Sequence, residues 1–193
     1  MYGLFVHLYG LSLKMKKKDQ KANIKRLTVC AMLTALGVIL LSIGALLEVL
    51  DISMAAVASF CVIITVVEYG KGTPWMVYAA TSLLSFLLIP TNLAATFFAL
   101  FFGFYPILKG KLETRPKAVC WILKELVFNV SLAVILLIYG FFFFKDVSFA
   151  VSFHWVVIAA VVLCEIVFVI YDIALTRIIN FYVIRLRKKF KFK

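Results

Sequence analysis

The chain has 193 residues, of which 65% are hydrophobic and 16% charged, and its formal net charge is +12. Soluble domains usually have about 45 to 50% apolar and about 25% charged residues, so the composition excludes an ordinary soluble domain and predicts an integral membrane protein. In a soluble protein this charge would suggest a nucleic-acid partner. Here the basic residues lie almost entirely between or outside the apolar stretches, so we expect membrane lipid and no nucleic acid as their partner.

Six apolar stretches follow one another along the chain, each bounded by charge or by Pro, Gly and Asn. They predict spans at 28–47, 52–67, 74–89, 93–108, 118–144 and 149–176. The predicted fold class is therefore all-α, a polytopic bundle of about six transmembrane helices. Its parts are a basic N-terminal segment (1–27), a transmembrane domain (28–183) and a basic tail (184–193). Residues 1–14 belong to the first part or are a mis-assigned start, since Met15 followed by three lysines is a more ordinary beginning for a bacterial membrane protein.

Basic residues predict the orientation of the bundle. Seven Lys and Arg precede the first span, one lies in the second connection, four lie in the fourth and seven follow the sixth span. Six crossings would put all of them on one side, which the positive-inside rule assigns to the cytoplasm together with both termini. A four-crossing alternative, with the spans at 74–89 and 93–108 re-entrant from outside around Pro90-Thr91-Asn92, also leaves most of the charge inside.

The first span carries small residues on two opposite faces. At 100° per residue, one side of the helix, interrupted only by Val38, carries Ala31, Thr34, Ala35, Ser42 and Ala45. Gly37 and Gly44 fall on the opposite side. Small residues let helices approach closely in membranes, so this span is expected to make two close helix contacts. Its length also exceeds the 7 to 15 apolar residues of a signal peptide, so we expect it to be retained.

Polar residues inside the later spans are the next candidates for function. Ionisable groups in a span usually face the bundle interior or a cavity, and here they are Lys124, Glu125, Glu165 and Asp172, with Asn129 alongside. The expected depths predict that Lys124 pairs with Asp172 and that Asn129 lies within reach of Glu165. The alternative is that Lys124 and Asp172 extend their polar ends to the cytoplasm.

A third group of polar residues is expected at the outer connections, where it would line a ligand-binding mouth or be solvated as ordinary loop residues. Its members are Glu48, Asp51, Asn92, Lys145, Asp146 and His154. Catalytic and cofactor motifs are missing from the sequence: Gly70-Lys71-Gly72-Thr73 lacks the first glycine of a P-loop, and the four cysteines show no metal-ligand spacing. We therefore expect a protein that is not an enzyme and holds no metal or cofactor.

The alanine pair and the basic start together resemble the S components of energy-coupling factor transporters. These small membrane subunits capture vitamins and related nutrients, and an alanine-x-x-x-alanine motif in their first helix docks on a transmembrane coupling subunit. Ala31-Met-Leu-Thr-Ala35 stands at the matching place. The resemblance implies a substrate-capturing subunit whose partners are a coupling subunit and ATPases, and a non-transporting scaffold or assembly protein is the alternative.

A second resemblance lies in the middle of the chain. The stretch from Glu68 to Gly110, which ends in FFGFYPILKG, is similar to uncharacterised small membrane proteins of clostridia-like bacteria. It implies a bacterial source and adds no function.

Overall fold

The computed structural model describes the backbone of residues 2–47, 49–70, 72–143 and 154–186, and the side chains of 20–47, 49–70, 72–138, 159 and 161–185. These residues form six helical segments and no β-strand, which confirms the predicted all-α class. The segments are α1 (Tyr2–Leu47), α2 (Asp51–Tyr69), α3 (Thr73–Leu88), a composite fourth segment (93–112), α6 (Lys117–Phe143) and α7 (His154–Phe181). The fourth segment comprises α4 (Leu93–Phe97), a π-helical turn (Phe98–Phe102) and α5 (Tyr105–Leu112), and a second π-helical turn (Tyr182–Leu186) follows α7.

Within the described parts of the chain, four helices are long and apolar enough to cross a membrane. They are Gln20–Leu47, Asp51–Tyr69, Leu93–Leu112 and Lys117–Ile138. The apolar helix α3 is shorter, at 16 residues, or about 24 Å at 1.5 Å per residue. A short apolar helix is therefore present where the sequence predicts the third span, and the six helical segments match the six predicted apolar stretches.

Helix α1 begins much earlier than the predicted span. It runs without interruption from Tyr2 to Leu47, through the basic segment. Residues 11–36 contain no Pro or Gly, and Lys, Ala, Gln and Leu are all good helix formers, so nothing in the local sequence stops the helix at the charge run.

Local signals explain several of the other helix ends. Pro74 and Pro106 lie in the first turns of α3 and α5. Proline is favourable there because the N–H group that it lacks would have no partner within the helix. Asn92 caps α4, since its Oδ1 accepts a hydrogen bond from the N–H of Ala95 at 2.8 Å. Gly70 ends α2 with a φ of +70°, a conformation that residues with a Cβ rarely adopt.

Side-chain contacts show which helix ends lie together. Arg26 of α1 donates a hydrogen bond to Thr73 at the start of α3, and its guanidinium lies 5.8 Å from the ring centre of Tyr69 at the end of α2. Tyr182, which follows α7, donates to Glu68 at 3.3 Å. We call this the basic end of the bundle. At the other end, Asn92 donates to the backbone oxygen of Leu41 at 3.2 Å.

The fourth segment passes through the centre of the core. Phe98 and Tyr105 are fully buried, and Phe101 is 4% exposed. The ring of Phe101 lies 5.3 Å from Phe128 of α6 and 5.8 Å from Phe168 of α7, and these two rings stack on each other at 4.4 Å. Aromatic contacts of this kind hold α6 and α7 against the fourth segment.

The glycine face of α1 packs inside the bundle. A Cβ atom added to Gly37 would lie 2.9 Å from the side chain of Thr81, and one added to Gly44 would lie 3.0 Å from Ala94 and Met54. On the opposite side, Ala31 and Ala35 are exposed. Of the two predicted small-residue faces, the structure therefore packs the glycine face inside the bundle, and of the other face it buries Thr34, which is 8% exposed.

Of the glycines whose surroundings are described, Gly103 is the one where an added side chain would meet its neighbours most closely. It follows the π-helical turn, its N–H donates to the carbonyl of Phe98 at 2.7 Å, and an added Cβ would lie 2.5 Å from the ring of Tyr78. That ring is fixed in turn, because its hydroxyl donates to the carbonyl of Ala99 at 2.7 Å.

We expect Gly103→Ala to destabilise the protein by about 1 to 3 kcal/mol through overpacking. Gly72→Ala is the matched control, since nothing lies within 4 Å of its added Cβ. Thermal unfolding in detergent measures both, and equal melting temperatures for the two variants would contradict the close approach of Tyr78.

Candidate functional site

A fully buried lysine lies near the basic end of the bundle. Lys109 is on the last turn of α5, and its side chain has no exposed surface. Its Nζ donates to Oδ1 of Asp172, to the backbone oxygen of Asp172 at 2.9 Å and to Oγ1 of Thr176 at 2.7 Å. An ammonium group has three donors, so all of them are used.

A second lysine reaches the same aspartate from α6. Lys124 is 5% exposed, and its Nζ lies 2.9 Å from Oδ2 of Asp172. The predicted pairing of these two residues is therefore confirmed, and neither side chain extends to solvent. The ammonium also lies 5.5 Å from the ring centre of Trp121, a favourable cation–π position.

Asp172 joins three helical segments through one carboxylate. Oδ1 accepts from Lys109 and from the hydroxyl of Tyr105 at 2.6 Å, while Oδ2 accepts from Lys124. Glu113 adds a second negative charge at 3.4 Å from Lys109, and its side chain is 44% exposed. We call Tyr105, Lys109, Glu113, Lys124, Asp172 and Thr176 the charged cluster.

The charges of this cluster balance, with two lysines facing two carboxylates. Buried charges persist only when they are paired and hydrogen-bonded, which is the case for Lys109 and Asp172. Lys109 and Lys124 both donate to the carboxylate of Asp172. The arrangement suits cross-linking of α5, α6 and α7.

A second polar region lies on the outer side of α6. Trp121, Glu125 and Asn129 line a shallow groove with Ile122 and Leu126. The amide of Asn129 donates to the backbone oxygen of Glu125 at 3.1 Å, and Oε2 of Glu165 has no hydrogen-bond partner among the described residues. The amide N–H of Asn129 is thus used within its own helix, and the nearness of Asn129 to Glu165 stays a prediction.

Of the residues predicted to line an outer ligand-binding mouth, the structure describes the side chains of Asn92 and Asp51. Asn92 is 1% exposed and uses its side chain to cap α4 and to bind Leu41, and Asp51 is 5% exposed at the start of α2. Glu48, Lys145 and Asp146 lie outside the described residues, as does the side chain of His154. Both candidates whose side chains are described are thus buried in the fold.

Among the described residues, no group of three His, Cys, Asp or Glu side chains is arranged to hold a metal ion. The four cysteines are free thiols, and Cys30, Cys61 and Cys120 are buried. Burial of this kind is usual for cysteine acting as a small apolar residue.

Sequence reasoning missed Lys109, which it counted among the charges of the fourth connection. A usable signal was present: Phe98, Phe102, Tyr105 and Lys109 follow one another at the spacing of three and four residues that marks one face of a helix. Extension of the fourth helical segment to Leu112 therefore places Lys109 on the buried face.

Comparison of the chain with protein-family models, with curated proteins and with solved structures gives no match.

Proposed function

We propose that this protein spans a bacterial cell membrane several times, with its basic end on the cytoplasmic side. Four described helices have the length and hydropathy for this. Large apolar side chains are also exposed around the bundle, including Leu87 at 79% and Leu137 at 72%. Soluble monomers rarely expose apolar surface on this scale, whereas lipid would cover it.

Within the membrane, we propose that the protein is a non-catalytic subunit that docks on a transmembrane partner through α1. The observation that carries this proposal is the exposure of Ala31 and Ala35, while the glycine face of the same helix is used inside the bundle. Small residues on a helix face allow another helix to approach closely, and this advantage is lost if the face contacts lipid alone. An exposed small-residue face is therefore suited to a helix of a second protein.

The specific form of the proposal is a subunit similar to an energy-coupling factor S component, which captures a small nutrient. Its partners would be a transmembrane coupling subunit and ATPases, since a P-loop motif is missing from this sequence. The small nutrient and these partners are drawn from the resemblance of Ala31-Met-Leu-Thr-Ala35 and the basic start to that family.

A scaffold or assembly protein is the second candidate, and one observation favours it. Asn92 and Asp51, which were candidates for binding a ligand, are buried at the end of the bundle opposite the basic end. Both side-chain hydrogen bonds of Asn92 hold the connection between α3 and α4. Polar groups used in this way serve packing.

Replacing Ala31 and Ala35 together by leucine is expected to reduce co-purification of a coupling subunit and its ATPases by about tenfold or more, because larger side chains prevent close helix approach. The melting temperature should stay unchanged, since both residues are exposed. Met32→Leu with Ile39→Leu is the matched control, because these residues are exposed on the same helix without being small. If the wild-type protein retains no such subunits, the transport proposal fails and the scaffold remains.

A further inference from the structure

Helix α3 is short for a helix that reaches from one end of the bundle to the other. Its 16 residues extend over about 24 Å, whereas the hydrocarbon core of a typical bilayer is about 30 Å thick. Both ends of α3 are fixed to α1: Thr73 contacts Arg26 at the basic end, and Asn92, which follows α3, contacts Leu41 at the opposite end. The part of α1 between Arg26 and Leu41 is about 22 Å long, which agrees with the length of α3.

One side of α3 is apolar and exposed along the whole helix. Leu83 is 70% exposed and Leu87 is 79% exposed. Under the proposed function, which places the bundle in a membrane, lipid covers these side chains. We call them the α3 face, and its members are Met76, Leu83, Leu84, Leu87 and Leu88.

The backbone on either side of α3 is not helical. Before the helix, Gly70 has a φ of +70° and Gly72 is exposed. After it, Ile89 is extended, and Pro90 and Thr91 are exposed. Lipid-exposed backbone of this kind does not occur within the hydrocarbon core, because its N–H and C=O groups would have no partners there. The hydrocarbon beside α3 is therefore limited to about the length of the helix.

Side chains at the start of α3 are typical of a membrane interface. Trp75 is 42% exposed, and its ring centre lies 5.9 Å from Nζ of Lys111. Tryptophan is enriched at the level of the lipid headgroups, and lysine directs its ammonium group to the same level. A tilt of α3 would not make up the difference of about 6 Å, since a tilted helix crosses less of the bilayer than an upright one.

We infer, on the basis of the proposed membrane location, that the α3 face binds phospholipids with short acyl chains and keeps the bilayer beside it about 24 Å thick in its hydrocarbon core. Long-chain lipids would have to compress their chains or cover the irregular backbone at 89–91. Both are unfavourable, and the cost increases with each ångström of mismatch.

Helix α6 provides an internal comparison. It has 27 residues, or about 40 Å, and exposes Val130 at 56% and Leu137 at 72%. This helix is long enough for a bilayer of ordinary thickness, so the preference for short chains should be confined to α3.

The experiment measures which lipid lies next to each helix. Tryptophan replaces Leu83 on α3 or Val130 on α6, each near the middle of its helix, and the three natural tryptophans are changed to phenylalanine. The full-length variants are placed in mixtures of short-chain dimyristoleoyl and long-chain dierucoyl phosphatidylcholine. One of the two lipids carries bromine on its chains and quenches the fluorescence of a neighbouring tryptophan.

We expect the short-chain lipid to be favoured about threefold or more in Leu83→Trp and not to be favoured in Val130→Trp. Leu87→Trp is a second reporter on the α3 face and should show the same preference as Leu83→Trp. Both leucines are exposed, so the melting temperatures of these variants in detergent should match that of the tryptophan-free parent.

Equal quenching of the α3 reporters by the two lipids would overturn the inference. An equal preference for short chains in Val130→Trp would do the same, because the preference would then belong to the whole protein. Quenching of Val130→Trp alone would mean that another helix covers α3, which overturns the inference and leaves the membrane location intact. A lack of quenching in every variant would contradict the membrane location itself, and the inference with it.

Discussion

Replacement of Asp172 by asparagine is expected to lower the unfolding free energy by about 3 to 5 kcal/mol, as is typical when one partner of a buried ion pair is removed. The carboxylate neutralises Lys109, which has no exposed surface, and Lys124, which is 5% exposed. Asparagine would keep the size of the side chain and one acceptor oxygen, but it would leave two buried ammonium groups with only Glu113 to balance them. Thermal unfolding of the detergent-purified protein measures this loss.

Glu113→Gln is the matched control for Asp172→Asn. Its carboxylate contacts the same two lysines, at 3.4 and 3.9 Å, but the side chain is 44% exposed. Solvent therefore screens it, and the loss should stay within about 1 kcal/mol. Similar melting temperatures for the two variants would mean that Asp172 does not hold the cluster together.

A third variant separates a structural role of the charged cluster from a functional one. Replacing all three buried charges by apolar residues of similar size, as in Lys109→Met with Lys124→Met and Asp172→Leu, should restore much of the lost stability. Buried ion pairs can often be exchanged for apolar packing without loss. If stability returns and partner binding is kept, the cluster serves the fold alone.

The sequence predicts much of the fold because long apolar helices are specified locally. Apolar stretches and their bounding polar residues are sufficient to predict six helical segments, and the depths of Lys124 and Asp172 are sufficient to pair them. Both predictions depend on distances along a helix, which the sequence contains directly.

The missed features depend on contacts between distant parts of the chain. Lys109 is buried because Asp172, 63 positions away, accepts two of its hydrogen bonds. The counting of basic residues treats every charge between two apolar stretches as solvated, so it cannot detect such a partner. Which face of α1 packs inside the bundle also depends on residues distant in the sequence, since Thr81 and Ala94 approach the glycine face.

Lys109→Met is expected to lower the unfolding free energy by about 3 kcal/mol. Methionine would fill the space of the lysine stem, but Oδ1 of Asp172 would lose its ammonium donor, and Thr176 would lose a contact of 2.7 Å. The carboxylate would keep Lys124 and Tyr105 as partners, so the expected loss stays below that of a fully unpaired charge. The melting temperature in detergent measures the effect.

Lys111→Met is the control that shows whether Lys109 is part of the core or a solvated charge of the fourth connection. Lys111 lies two residues further along the same helix, is exposed, and has its Nζ 5.9 Å from the ring centre of Trp75. A contact of that kind contributes about 0.5 to 1 kcal/mol at an exposed site. If both lysines were solvated orientation charges, their methionine variants would unfold at the same temperature. A lower melting temperature for Lys109→Met alone would mean that one lysine of the fourth connection belongs to the core and should not be counted when the orientation is predicted from charge.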